Sequence, residues 1–288
     1  MQGELVSTTT ADYLRLHGLF CASDKRPMIS AAMGSLDSAV LIHGLGGNFY
    51  SSRLLLHFAE TLINLGVSVV LINTRGHEMI NSLTWGGRSQ SVGAAFENVD
   101  HCRFDLNAWV DFLIERGYDN VLLFGHSLGA IKSLYAQAYA PHPKVKTIVG
   151  LSATRLSYSQ LIDRANGDLF RQTIERCEKL IADNRENDPI HVPFPFPTWM
   201  TPQCYLDKYG PAEKFNWMRF IDKVTIPTLL MFGAKELSDD SAFAGVSEEL
   251  EQLKLGWNSL TIETIADADH FYTSKFAEAD DVIMRWLT

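Results

Sequence analysis

The chain alternates short apolar segments with longer segments whose apolar residues recur at helical spacing. Strands that are apolar throughout are buried on both faces, which is typical of a parallel sheet covered by helices. We therefore predict an α/β fold with a mostly parallel central sheet and helices on both faces. The predicted strands are Ala39–Ile42, Val67–Ile72, Val121–Phe124, Thr147–Leu151 and Thr228–Phe232.

The alternation stops between residues 154 and 225. This segment holds six of the 10 prolines in the chain and a cluster of aromatic residues. The aromatic residues include Phe194, Phe196, Trp199, Tyr205, Trp217 and Phe220. We predict a core domain formed by residues 1–153 and 226–288, with a helical cap inserted at 154–225.

Turn residues and periodicity predict the remaining elements. Residues 3–22 have β-rich patterning on both sides of a turn, which predicts a leading hairpin. Residues 76–95 hold four glycines and are predicted to form a long loop. After position 240 we expect a helix over 241–254, a strand over 259–265 and a helix over 275–287.

The charge and hydropathy of the chain argue against several classes of partner. The 288 residues include 34 acidic and 25 basic side chains, which gives a formal net charge of −9. Nucleic acids and anionic membranes attract basic surfaces, so we expect neither as a partner. No apolar run reaches the ~18 residues that span a bilayer, which argues against stable membrane insertion. The N-terminal residues do not resemble a signal peptide, so we expect a cytoplasmic protein of unknown oligomeric state.

The cysteines and histidines form no metal-ligand pattern. Cys21, Cys102, Cys177 and Cys204 are widely spaced, and neither a C-x-x-C pair nor an H-E-x-x-H motif occurs. We expect four reduced thiols, no catalytic metal and no cofactor.

One short motif indicates a nucleophilic serine. Residues 125–129 read Gly-His-Ser-Leu-Gly, which fits G-x-S-x-G, and they lie between a predicted strand and a predicted helix. A sharp strand-to-helix turn lifts the serine above the sheet, and the close backbone approach requires small neighbours such as Gly125 and Gly129. The helix N-terminus also favours a developing oxyanion. We predict that Ser127 is a nucleophile.

The loop after the first core strand is the expected second half of an oxyanion hole. Residues 43–48 read His-Gly-Leu-Gly-Gly-Asn, and the glycines allow backbone N–H groups to face a ligand. We assign the N–H groups of Leu45 and Leu128 to the hole, with Gly46 as the alternative to Leu45. The supporting positions of the two motifs are His43, Gly44, Gly125 and Gly129.

The same glycines do not form a dinucleotide-binding loop. The G-x-G-x-x-G fingerprint would need a glycine at position 49, which is Phe49. The next strand also ends at Asn73, where that fold would place an acidic residue.

A base and an acid are expected late in the chain, because in this kind of site the order is Ser, acid, His. His270 is the only histidine after His191 and follows the predicted strand at 259–265. Glu236 follows the strand that ends near Gly233, so we assign it as the acid. Asp239 and Asp240 are the alternatives, since either could complete a triad or cap the next helix.

Together these residues resemble the α/β-hydrolase superfamily over almost the whole chain, and the order of the motifs is similar to that in esterases and lipases. The matching pieces are His43-Gly44, Asn73–His77, Gly125–Gly129, Ile226-Pro227 and His270. The chain departs from the family pattern with Asn at position 73 and Glu at position 236, where Asp is common. In relatives a lid occupies the place of the 154–225 insertion, and we expect at least two of its aromatic residues to line an acyl or alkyl pocket.

The resemblance implies a serine hydrolase that cleaves a carboxylic ester of a small to medium, partly apolar acyl substrate through an acyl-enzyme on Ser127. The same triad also serves amidases, thioesterases, C–C hydrolases and acyltransferases, and the fold occurs in non-catalytic ligand-binding homologues. These alternatives stay open at this point. Serine at position 127 disfavours dehalogenases and epoxide hydrolases, which need a carboxylate nucleophile.

Overall fold

A central sheet of eight strands organises the computed structural model, which describes residues 2–29, 35–164, 166–239, 241–243, 245–250 and 259–288. The strands assigned within these residues are β1 (Glu4–Thr9), β2 (Arg15–Cys21), β3 (Ser38–Ile42), β4 (Ser68–Ile72), β5 (Asn81–Trp85), β6 (Arg88–Val92), β7 (Val121–His126), β8 (Val145–Leu151), β9 (Ile190–Val192), β10 (Thr198–Met200), β11 (Thr228–Gly233) and β12 (Leu260–Ile265). The helices are α1 (Arg53–Asn64), α2 (Cys102–Glu115), α3 (Leu128–Tyr139), α4 (Tyr158–Ile162), α5 (Gly167–Ala182), α6 (Pro202–Tyr209), α7 (Ala234–Asp239) and α8 (Phe276–Leu287).

The sheet has the strand order β1-β2-β4-β3-β7-β8-β11-β12. From β4 to β12 in this order neighbouring strands are parallel, whereas β2 is antiparallel to both of its neighbours, β1 and β4. Every residue of β3, β4, β7 and β11 is buried, as expected for strands covered on both faces. The predicted α/β fold with a mostly parallel sheet is therefore confirmed.

Alternate residues of each strand supply two separate hydrophobic layers, because successive side chains point to opposite faces. Val40 packs in the layer that contains the α2 residue Trp109 and the α3 residue Leu134. Leu41 packs in the layer that contains the α1 residue Phe58 and residues of α8. Helices thus cover both faces of the sheet.

The parallel register aligns the carboxyl ends of the core strands at one edge. Ile42 at the end of β3 is level with Gly125 in β7, and Gly233 at the end of β11 is level with Ile265 at the end of β12. The loops that follow these four strands therefore meet above the same edge of the sheet, where ligand sites of open α/β sheets lie.

The leading hairpin is confirmed, since β1 and β2 pair over their whole length. The prediction of a long loop over 76–95 was wrong, because β5 and β6 form a hairpin there. Gly86 and Gly87 make its turn with φ of 55° and 78°, the positive values that a tight hairpin requires. β6 is polar and mostly exposed, and β5 has only two alternating apolar residues, Leu83 and Trp85, so the apolar pattern is weak. The predicted helix over 241–254 lies partly outside the described residues.

The segment between β8 and β11 contains α4, α5, α6 and the small β9–β10 sheet. Most of the aromatic residues singled out there are buried, namely Phe194, Tyr205, Trp217 and Phe220. These side chains belong to the same hydrophobic layer as Trp109 and Leu134 on one face of the central sheet. The division of the segment from the rest of the chain as a cap stays a prediction. No helix in the described part of the chain is long and apolar enough to cross a membrane.

Candidate active site

Ser127 occupies the turn between β7 and α3. Its backbone has φ 56° and ψ −122°, a conformation that costs energy in any residue with a side chain. A Cβ at Gly125 would lie 2.3 Å from the Gly129 carbonyl oxygen, and a Cβ at Gly129 would lie 2.4 Å from the Ile42 carbonyl oxygen. The motif therefore needs glycine at both flanking positions, as predicted.

His270 and Glu236 meet above the ends of β12 and β11. His270 Nδ1 lies 2.8 Å from Glu236 Oε2, and Glu236 is 3% exposed. The other carboxylate oxygen accepts hydrogen bonds from the Gly233 N–H at 2.8 Å and the Ser152 hydroxyl at 2.7 Å. Because a carboxylate only accepts, Nδ1 carries the proton, and Nε2 of the neutral ring is left as an acceptor.

Several close contacts hold the His270 loop in place. The Lys235 N–H donates to the Ala268 carbonyl at 3.0 Å, and a Cβ at Gly233 would lie 2.5 Å from the same oxygen. His126 Nε2 donates to the His270 carbonyl at 2.8 Å. Burial, aided by the neighbouring His270, lowers the pKa of His126 to about 3, so this side chain is neutral near pH 7. The histidine of the G-x-S-x-G motif thus ties the two loops together.

The glycine loop at 43–48 lies directly against the Ser127 turn. A Cβ at Gly44 would lie 3.0 Å from Ser127 Cβ and 3.5 Å from Oγ. The backbone N–H groups of Leu45, Gly46 and Leu128 donate to no acceptor among the described residues. These donors are therefore available to a ligand, and both Leu45 and Gly46 remain candidates for the first half of an oxyanion hole.

His43 holds the glycine loop from inside the protein. Its Nδ1 donates to the Gly44 carbonyl at 2.7 Å, and its Nε2 accepts from the Thr74 N–H at 3.1 Å. Burial and the nearby charge of Lys132 lower the pKa of His43 to about 3. A neutral ring with one donor and one acceptor fits both contacts.

A cavity of about 890 Å³ connects these groups. Its walls come from both the sheet edge and the segment between β8 and β11. The lining residues include His43, Gly44, Leu45, Leu54, Ser127, Leu128, Leu156, Leu161, Pro195, Phe196, Lys208, Tyr209, His270, Phe271 and Phe276. Phe196 and Tyr209 are aromatic residues of the insertion.

Ser127 and His270, the predicted nucleophile and base, are not hydrogen bonded to each other in the structure. Ser127 and His270 line the same cavity, but no hydrogen bond of the Ser127 hydroxyl occurs within the described residues. Such bonds are often long before a substrate binds. Asp240 lies outside the described residues, as does the side chain of Asp239.

Two supporting residues were not predicted from the sequence. Ser152 follows β8 and donates to Glu236, and no local pattern distinguishes it from other serines. Lys132 is fully buried in α3, where its Nζ donates to Thr74 Oγ1 at 3.0 Å. A lysine within the otherwise apolar start of this helix was the available signal, since lysine is almost never fully buried without a partner.

The four cysteines are buried and free. Within the described part of the chain, no three His, Cys, Asp or Glu side chains are grouped as metal ligands would be.

The chain is similar to known proteins in sequence profile and in fold. The model of the alpha/beta hydrolase family matches residues 39–283. Among curated proteins, no sequence is significantly similar to this chain.

Three solved structures illustrate the likeness in fold. The alpha/beta hydrolase GrgF from Penicillium sp. sh18 is 14% identical with a TM-score of 0.71, over 99% of this chain and 96% of that one. Est1E from Butyrivibrio proteoclasticus with bound ferulic acid is 16% identical with a TM-score of 0.64, over 97% and 96%. The Pyrococcus furiosus esterase Pf2001 is 16% identical with a TM-score of 0.64, over 99% and 90%.

Proposed function

The chain belongs to the alpha/beta hydrolase family, and from that premise we propose that it is a serine hydrolase that cleaves carboxylic esters. Ser127 is the nucleophile, His270 the general base and Glu236 the acid that orients His270. The observation that carries this proposal is the 2.8 Å hydrogen bond from His270 Nδ1 to Glu236, on a ring that lines the same cavity as Ser127. This contact leaves Nε2 as the only ring atom able to take a proton from a serine.

The first half of the reaction forms the acyl-enzyme. Ser127 Oγ attacks the ester carbonyl while His270 Nε2 takes its proton, and the Glu236 carboxylate stabilises the imidazolium that results. The negative charge on the carbonyl oxygen is held by the N–H groups of Leu45 and Leu128. His270 then donates its proton to the alcohol oxygen as the C–O bond breaks.

The second half returns the serine. Water loses a proton to His270 Nε2 and attacks the acyl carbonyl, and the same proton passes to Ser127 Oγ as the acid leaves. The His270 side chain is 23% exposed, so water can reach it from the cavity. That access favours hydrolysis over acyl transfer to a second alcohol.

The walls of the cavity support an ester with an apolar part. Leu54, Leu156, Leu161, Phe196 and Phe271 all line it. Its volume of about 890 Å³ lies in the range of small-molecule sites. The wall contributed by the segment between β8 and β11 supports the proposal that residues 154–225 act as a cap. Among the similar structures, Pf2001 is described as an esterase and Est1E holds ferulic acid.

The proposal is tested by hydrolysis of p-nitrophenyl esters of increasing acyl length with wild type and Ser127→Ala. We expect wild type to release p-nitrophenol and the variant to lose nearly all turnover while it stays folded. A fluorophosphonate probe, followed by peptide mass spectrometry, should label Ser127 in wild type alone.

Two results of these assays would contradict the proposal. Turnover that survives in Ser127→Ala would show that another group is the nucleophile. If wild type cleaves no ester of the series and the probe does not label Ser127, the esterase proposal is wrong.

A further inference from the structure

Three charged side chains are buried beside the cavity. The side chains of Lys132 in α3 and of Glu97, which lies between β6 and α2, are 0% exposed, and that of Lys208 in α6 is 1% exposed. Two ammonium groups thus face a single carboxylate. Buried charges are destabilising unless each one is paired, so the partners of each group have to be identified.

Lys132 is paired within the protein. Its Nζ lies 2.5 Å from Glu97 Oε1 and donates to Thr74 Oγ1 at 3.0 Å. Thr74 in turn contacts His43, which holds the carbonyl of Gly44. Lys132 is therefore a support of the glycine loop, and Glu97 is its counter-ion.

Lys208 is not paired in this way. Its nearest carboxylate oxygen is Glu97 Oε2 at 3.9 Å, beyond hydrogen-bonding distance, and its Nζ has no hydrogen-bond partner within the described residues. Burial lowers the pKa of Lys208, and the negative charge of Glu97 opposes that effect. Lys208 also lines the cavity that contains Ser127 and His270.

Among the described residues, no carboxylate other than Glu97 lies within 4.0 Å of Lys208 Nζ, although the charge of Asp207 also raises the pKa of Lys208. The Asp207 carboxylate lies 3.3 Å from Lys214 Nζ. Arg155, a second cation that lines the cavity, lies 2.5 Å from Glu249. His43 is neutral near pH 7, because its pKa is lowered to about 3. When Lys208 is protonated, Lys132, Lys208 and Glu97 together carry one excess positive charge.

We propose that Lys208 binds a carboxylate of the substrate, so that the preferred ester carries a free carboxylate at a distance from the scissile bond. This inference rests on the proposed esterase function and names its substrate class. A single carboxylate has the one negative charge that balances Lys132, Lys208 and Glu97. The ammonium group provides three donors for it, and a hydrogen bond between two ionised groups is stronger than one between neutral groups.

The test compares two esters of equal length that differ in one terminal group. One is the mono-p-nitrophenyl ester of adipic or suberic acid, and the other has the free carboxylate replaced by a primary amide. We expect wild type to prefer the carboxylate ester. Lys208→Met should lower kcat/KM for the carboxylate ester by roughly 10- to 100-fold, the range for one charge-assisted hydrogen bond. The amide ester should change little.

Two further variants control for other effects. Lys214→Met removes a lysine of the same segment that is paired with Asp207, and it should leave the preference for carboxylate unchanged. Lys208→Arg keeps the positive charge and should retain part of the preference. The inference is wrong, and Lys208 is a structural residue, if Lys208→Met lowers kcat/KM equally for both esters. It is also wrong if wild type does not prefer the carboxylate ester.

Binding measurements separate this inference from the proposed function. Hexanoate and hexanamide are titrated calorimetrically into wild type and Lys208→Met, whose folding is checked by thermal unfolding. If wild type binds hexanoate more tightly than hexanamide and Lys208→Met does not, the carboxylate site is supported even if no ester is cleaved. Equal binding of the two compounds by wild type overturns it, even if Ser127 proves to be a nucleophile or Lys208→Met does not fold.

Discussion

Replacing Glu236 by Gln tests the proposed acid with a minimal change in shape. The Glu236 carboxylate accepts three hydrogen bonds, from His270 Nδ1 at 2.8 Å, the Gly233 N–H at 2.8 Å and the Ser152 hydroxyl at 2.7 Å. An amide has one accepting oxygen and one donating nitrogen. Gln at this position must therefore present a donor either to His270 or to the Gly233 side.

The size of the effect depends on which end of the amide faces His270. With the amide oxygen toward Gly233 and Ser152, both of those bonds survive and the NH₂ group faces Nδ1. The ring then holds its proton on Nε2, where it cannot act as a base. The reverse orientation leaves the buried Gly233 N–H without an acceptor, which costs about 1–3 kcal/mol. The first orientation dominates, so we expect kcat to fall by about 10,000-fold, as in a serine protease triad with the equivalent change.

The assay is p-nitrophenyl ester hydrolysis by Glu236→Gln and Asp239→Asn side by side, with thermal unfolding of both. Asp239→Asn should remain close to wild type. The reasoning would be refuted if Glu236→Gln stayed within about tenfold of wild type, or if Asp239→Asn caused the larger loss.

Three further predictions concern the same site. Ser127→Ala and His270→Ala should lose similar amounts of kcat, and the double variant should lose no more, whereas additive losses would contradict a shared triad. Gly129→Ala should lower the free energy of unfolding by about 1–3 kcal/mol, because its Cβ would lie 2.4 Å from the Ile42 carbonyl oxygen. Each kcal/mol lowers the Tm by roughly 2–4 °C, so an unchanged Tm would contradict this contact. The folded pKa of His126 is lowered to about 3, so only the unfolded chain takes up this proton as the pH falls from about 6.5 toward 3. This side chain should therefore make unfolding easier by up to about 1.4 kcal/mol per pH unit in that window, an effect that His126→Gln should remove in denaturant titrations at several pH values.

The fold and the motif residues could be predicted because their signals are local. A run of apolar residues such as Val121–Phe124 specifies a strand buried on both faces, whatever its neighbours are. The turn around Ser127 requires glycine at positions 125 and 129, because backbone atoms approach there too closely for a side chain. The β5–β6 hairpin was missed because its local apolar signal is weak: β6 is mostly exposed, and β5 has only Leu83 and Trp85 as alternating apolar residues.

The amino-acid sequence by itself determined the α/β class, the nucleophile candidate Ser127 and the base candidate His270, because each depends on a short pattern or on chain order. Only the tertiary structure decided that Glu236 is hydrogen bonded to His270, that Ser152 contacts Glu236, and that Lys132 rather than Lys208 is tightly paired with Glu97. Those contacts join segments that are distant in the chain, and they exist because the strand order brings the segments to one edge of the sheet. Burial then makes each unpaired charge costly, which is a property of the folded protein and not of any local pattern.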